Sequence, residues 1–238
     1  MKRNILLSAL VCWAWTAPGG MAAQIFSAHS GSRSAQLTAQ VVGNQLVLTL
    51  TNTATVDAAD PTQVLTAVFF DVGGNVSLTP TSAVLSVGSS IAFCCTGTTV
   101  VGGEWAFRQQ ATGFGPGGTR VGISAAGFGM FGNPGFPGAN LSGPQAVGGL
   151  QFGIVSLQDN INHGNAAVTG QFPLIQGGVT FTFDLPHNTD VRLSKVVFQY
   201  GTDTCEPSLP GVATPEPGAW LLLGTGLTAL LARRWRKR

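Results

Sequence analysis

The sequence predicts an all-β fold: one β-sandwich or jelly-roll-like domain of many short strands. Three observations carry this. Thr, Val, Ala, Leu and Phe dominate the middle of the chain. No long stretch there repeats apolar residues at a helical period, and turn residues recur between the candidate strands. The 238 residues also divide by charge. Residues 24–214 hold five basic residues (Arg33, Arg108, Arg120, Arg192, Lys195) against nine acidic ones, a net charge of −4. The overall +2 and the sequence pI near 8.5 therefore describe the two ends and not this body. An acidic body without Lys/Arg clusters lacks the electrostatic footprint of a nucleic-acid binder, and that class of partner is excluded.

The first element is an address. Lys2 and Arg3 precede an uncharged stretch over residues 5–17, and Gly19, Gly20, Ala22 and Ala23 follow. This order reads as a secretory signal peptide, residues 1–23, cleaved after Ala22 or Ala23. Its apolar run is shorter than the ~20 residues a membrane span needs.

The body begins with its clearest element. Residues 35–42 and 45–52 flank Gly43-Asn44, a two-residue loop suited to a tight hairpin. If Val42 faces Gln45, then Val41 pairs with Leu46, Ala39 with Leu48 and Leu37 with Leu50. All six fall on one face, while Gln36, Thr38, Gln40, Thr49 and Thr51 fall on the other. Residues 63–71 follow, apolar on both faces as a strand inside a sandwich would be. Shorter strands are expected at residues 82–87, 91–94, 104–108 and 180–184. Residues 192–200, with Val196, Phe198 and Tyr200 aligned, close the body.

Residues 113–149 have another texture. Thirteen of these 37 residues are glycine, interleaved with Phe114, Phe128, Phe131 and Phe136. Such composition is too glycine-rich to hold long regular strands cheaply. Three readings stand: a long loop packed down by its phenylalanines, a flexible apolar surface for self-association or polymer contact, and a disordered segment.

Cys94, Cys95 and Cys205 are the disulfide candidates, since Cys12 leaves with the signal peptide and an exported chain meets an oxidising compartment. Adjacent cysteines bridge each other only with backbone strain, so the expected bridge joins Cys94 or Cys95 to Cys205. It would close a loop of about 110 residues, contributing ~4–5 kcal/mol in the chain-entropy account.

The search for chemistry yields little. Residues 113–118 fit G-x-G-x-x-G, but Pro116 and the later glycines forbid the helix a phosphate cradle needs. Gly122-Ile123-Ser124-Ala125-Ala126 falls one glycine short of a nucleophile elbow. His29, His163 and His187 stand far apart and read as surface loop residues. The acids offer no legible pair for a glycosidase. Asp57 with Asp60, and Asp203 with Glu206, are the nearest approach to calcium ligands, without ligand-type periodicity. Trp105 and Tyr200 are the body's amphipathic rings and the candidates for sugar stacking. The expectation is a non-catalytic protein with no cofactor and no assigned metal ligand. The alternative is a glycan- or ligand-binding module of jelly-roll type.

The tail is more informative. Pro215, Glu216 and Pro217 are followed by fifteen uncharged residues, 218–232, and then by Arg233, Arg234, Trp235, Arg236, Lys237 and Arg238. Trp220, Leu221, Leu222, Leu223, Leu227, Leu230 and Leu231 form the anchor. As helix the stretch spans about 22 Å, below the ~30 Å hydrocarbon core, a mismatch that snorkelling arginines and local thinning absorb. Arg233, Arg234, Arg236, Lys237 and Arg238 act as a cytoplasmic stop, which leaves Glu216 facing out. Proline on both sides keeps Glu216 extended and outside the helix.

These three parts in order, over residues 215–238, resemble the PEP-CTERM sorting signal, and a signal peptide is its expected companion. The resemblance implies recognition of Pro215, Glu216 and Pro217 by an exosortase, a membrane-embedded cysteine transpeptidase of Gram-negative bacteria that also make exopolysaccharide. It thus implies export, anchoring in the inner membrane before processing, delivery to the cell surface or extracellular matrix, and a link to exopolysaccharide or biofilm. The Gram-positive sortase signal does not fit, because Leu209-Pro210 continues as Gly211-Val212-Ala213. Residues 50–53, 64–71, 102–105 and 198–202 resemble a recurrent type of exosortase-dependent surface protein, which brings no activity with it.

Overall fold

The computed structural model describes residues 22–214, apart from 75, 132–134, 139–148, 167, 171 and 188. The sorting tail, and the signal peptide up to residue 21, lie outside the described residues. Among those described, no helix is long and apolar enough to cross a membrane.

Two sheets share one core. The six-stranded sheet runs, in spatial order, β14 (Val212–Thr214), β1 (Gln24–Ser30), β2 (Arg33–Val42), β3 (Gln45–Asn52), β11 (Gly178–Asp184) and β5 (Thr79–Leu85). The eight-stranded sheet runs β13 (Ser208–Pro210), β12 (Leu193–Tyr200), β4 (Leu65–Val72), β9 (Ile154–Val155), β10 (Leu174–Gln176) and β6 (Ser90–Ala92). β8 (Val121–Ser124) pairs with β4, and β7 (Ala106–Gln109) with β8. Leu37, Leu48 and Phe181 of the first sheet meet Val68, Phe70 and Phe198 of the second in one buried cluster. Each such side chain taken from water stabilises the fold by about 1.5–3 kcal/mol.

The β2–β3 hairpin forms in the register that the alternation predicts: Val42 faces Gln45, Val41 Leu46, Ala39 Leu48 and Leu37 Leu50. Gly43 alone of the two loop residues has positive φ, 61°, as a hairpin loop with glycine first requires. All of β4 is buried, because both its faces are covered. One face looks into the sandwich. The other carries Phe69, whose ring meets Phe114, Phe128 and Phe131 at centroid distances of 6.2, 6.4 and 5.9 Å.

The described part of the glycine-rich segment is therefore a cover packed down by its phenylalanines, and its glycines permit the approach. A Cβ on Gly122 would stand 2.9 Å from the Phe69 ring. Phe136 goes further and enters the core, 5.1 Å from Phe181 and 5.3 Å from Phe183. One feature departs from the sequence expectation. Residues 121–124 form a regular strand, because β4 and β7 supply partners on both sides. Strand β1 was not legible either: its apolar and polar residues barely alternate, and Gly31 (φ 59°) turns it into β2.

Candidate sorting site and its platform

The sorting residues Pro215, Glu216 and Pro217, the anchor and the basic stop lie outside the described residues, but their point of attachment is described. From β13 on the edge of one sheet the chain crosses to β14 on the edge of the other. Gly211 makes this crossing pressed against Val196 and Phe198, its N–H donating to Val196 O at 2.7 Å. β14 then pairs antiparallel with β1, Ser27 facing Val212, Phe26 facing Ala213 and Ile25 facing Thr214. The last residue before Pro215 thus lies beside Ile25, the second or third residue after the expected signal cleavage point.

The start of β1 is fixed in turn by Gln24. Its Nε2 donates to Val191 O and its Oε1 accepts from Leu193 N, both at 2.9 Å. The two ends of the body leave together from one corner. Sequence reasoning missed this clasp, since three exposed residues, Val212, Ala213 and Thr214, give no alternation to read.

The disulfide expectation is corrected. Cys94 bonds to Cys95, and Cys205 is free and exposed. Cys94 and Cys95 follow β6 at one edge of the eight-stranded sheet, while Cys205 follows β12 near the other. Four interstrand steps of about 4.8 Å separate β6 from β12, roughly 19 Å, far beyond the ~7 Å that a bridge tolerates between Cα atoms. The neighbouring pair closes instead with Phe93 and Cys95 both at positive φ, 67° and 56°. No long loop is cross-linked, so the expected loop-entropy stabilisation does not arise. The Cys205 thiol is raised above its ordinary value by a hydrogen bond to Asp203 and by that carboxylate's charge.

The other residues singled out from sequence are mostly structural. Trp105 and Tyr200 are fully buried, with the Trp105 ring 5.1 Å from Phe181, so neither offers a stacking face. Ser124 is buried, and its Oγ is hydrogen-bonded to Ala126 O at 2.5 Å and Thr66 O at 3.2 Å inside the fold. Residues 113–118 close as a turn onto Thr119 and lead into β8, not into a helix. Asp60 caps a short turn, accepting from Thr62 N at 2.8 Å, and Glu206 accepts from the backbone of Thr202 and Asp203. Among the described residues no three of His, Cys, Asp and Glu come together in a way that could hold a metal ion.

Two acids show opposite environments. Asp71 is desolvated by burial, which raises its pKa. The Arg120 N–H at 2.8 Å and the charges of Lys195 (3.1 Å) and Arg120 (3.5 Å) outweigh burial and hold it below the ordinary value. Asp159 goes the other way. Burial raises it, the Ala58 N–H at 2.6 Å opposes, and the neighbouring Asp57 raises it further. A groove of about 670 Å³ opens near Asp71, lined by Arg108, Gln109, Gln110 and Arg120 among others, with no carboxylate in its wall.

No curated protein and no solved structure matches the chain. Residues 213–237, which start within β14 and run through the tail, match the PEP-CTERM protein-sorting motif. The chain therefore carries at its C-terminus a sorting motif that implies export and handling by an exosortase at the membrane.

Proposed function

We propose that the chain is a non-catalytic surface or matrix protein: a β-sandwich carried across the inner membrane, held by its C-terminal segment, and released or transferred by an exosortase acting at or near Pro215, Glu216 and Pro217. The observation that carries this reading is the motif match at residues 213–237, continuous with an edge strand at the surface of the body. The local roles of Ser124, Asp60 and Glu206 support the non-catalytic part. Any covalent chemistry is then done to the chain and not by it. A link to exopolysaccharide or biofilm belongs to this proposal.

Replacing Pro215, Glu216 and Pro217 together by alanine tests it. Export should continue while processing stops, leaving a membrane-bound species heavier by the retained tail. Surface protein of unchanged mass would refute the sorting role.

The groove near Asp71 favours a second reading, a ligand-binding module. Because Trp105 is buried, the probe for that reading is Gln110→Ala, titrated with the host's own exopolysaccharide. Saturable binding that this change weakens would support it.

A further inference from the structure

The corner from which both chain ends depart is also where the body gathers its cations. Gln24 is bonded to Val191 and Leu193, Leu193 faces Val72, and Gly73 N donates to Arg192 O at 2.9 Å. Arg120 and Lys195 reach Asp71 from either side, and Arg108 lies diagonally across the β7–β8 pair from Arg120. Four of the five basic residues of the body thus surround this end of β4. The acids here are Asp71, Asp184 and Asp190, so the end carries a net +1. The side chains of Arg192 and Lys195 are 76% and 60% exposed, but Asp184 and Asp190 are exposed too, Asp190 lying 3.7 Å from Arg192. With Asp71 buried, the positive excess that solvent meets comes from the half-buried Arg108 and Arg120.

The opposite end is the reverse. Asp57, Asp60, Asp159, Asp203 and Glu206 lie around the start of β4 with only Arg33 for company, a net −4, and the ninth acid of the body, Glu104, is buried just ahead of β7. About 26 Å of strand separates the two ends.

We infer that the Arg192–Lys195 pole is a membrane-facing surface that docks on anionic lipid headgroups while the tail anchors the chain. The inference rests on the sorting reading, because it takes the tail to reach a bilayer. Only three residues, 215–217, separate Thr214 from the apolar stretch, a length of chain that can reach at most about 10 Å. The Debye length at physiological salt is about 8 Å. The pole is therefore held where a charged surface is still felt. A body with unlike poles turns its positive end towards negative lipid and its acidic end away. Docking in this sense would hold Glu216 close to the bilayer, within reach of a membrane-embedded enzyme.

The test uses the full chain with Cys12→Ala, reconstituted in vesicles of 70% phosphatidylcholine and 30% phosphatidylglycerol with acceptor-labelled headgroups. A donor dye on Cys205 reports the acidic end. A second chain, with Cys205→Ser and Asn44→Cys added, reports the other pole, where Asn44 O accepts from Leu185 N. Energy transfer from position 44 should exceed that from position 205 severalfold. The difference should shrink in pure phosphatidylcholine, in 0.5 M salt, and on Arg192→Gln with Lys195→Gln, which should lower the docked-to-undocked ratio roughly thirtyfold. The lipid and salt arms use native charges, so they decide the matter even if the double variant folds poorly.

Equal transfer from both positions, or a difference indifferent to lipid charge and salt, overturns the inference while leaving the sorting reading intact. A chain that does not float with the vesicles overturns both. Tight binding of soluble polyglutamate without any dependence on lipid charge would overturn it in favour of an acidic polymer.

Discussion

The two ends of β4 are built from the same strands and differ in how they treat a buried carboxylate. At one end Asp71 is paired by Arg120 and Lys195 and accepts a backbone N–H, and its pKa falls. At the other, Asp159 is buried beside Asp57 with one backbone donor, and its pKa rises. The comparison teaches that burial alone does not decide the cost of a charge. The number and sign of its neighbours do. It also separates a pole that ionisation holds together from one that ionisation loosens.

Asp71→Ala is the largest expected break in this comparison. It leaves the Arg120 N–H without its acceptor and two cations without their partner, and should cost about 1–3 kcal/mol in chemical denaturation. The pH dependence follows in sign. The folded pKa lies below the unfolded value of about 3.9, so the stabilisation is complete above pH ~4 and is lost as pH falls through the folded value. An acid-unfolding series should therefore show a steeper loss for the native chain than for Asp71→Asn.

Asp159→Asn should act in the opposite direction and more weakly. Its folded pKa lies above the unfolded one, so ionisation costs stability as pH rises between the two values. A neutral side chain should raise stability at pH 7 by on the order of 1 kcal/mol or less. A loss of stability on this change would break the comparison.

The smallest effect concerns Cys205, which lies in the acidic end and has no packing role. Alkylation of the folded, oxidised and signal-free chain should add one label, slowly because Asp203 holds the thiol protonated, and should leave the melting temperature unchanged. Three labels should appear only after reduction. Two or three labels without reductant would contradict the Cys94–Cys95 bridge.

Much of the fold was legible because alternation states a face. In the β2–β3 hairpin Leu37, Ala39, Leu46, Leu48 and Leu50 all turn inward, and one loop sets their partners. Residues 113–149 carry no such code. What matters there is which glycine lies against which ring, and the contact of Gly122 with Phe69 spans 53 residues that no local pattern links. The cysteine expectation failed for a related reason. Sequence makes a long bridge attractive through loop entropy, but only the strand order shows β6 and β12 to be four steps apart. Of the site, the tail was legible as a motif, whereas the clasp of β14 on β1 needed the fold.

The most direct test of the central claim is the intact mass of the protein recovered from the cell surface or medium. The account requires a chain that begins at Ala23 or Gln24 and ends at or near residues 215–217. A surface-borne chain that still carries Arg233 to Arg238 would contradict it.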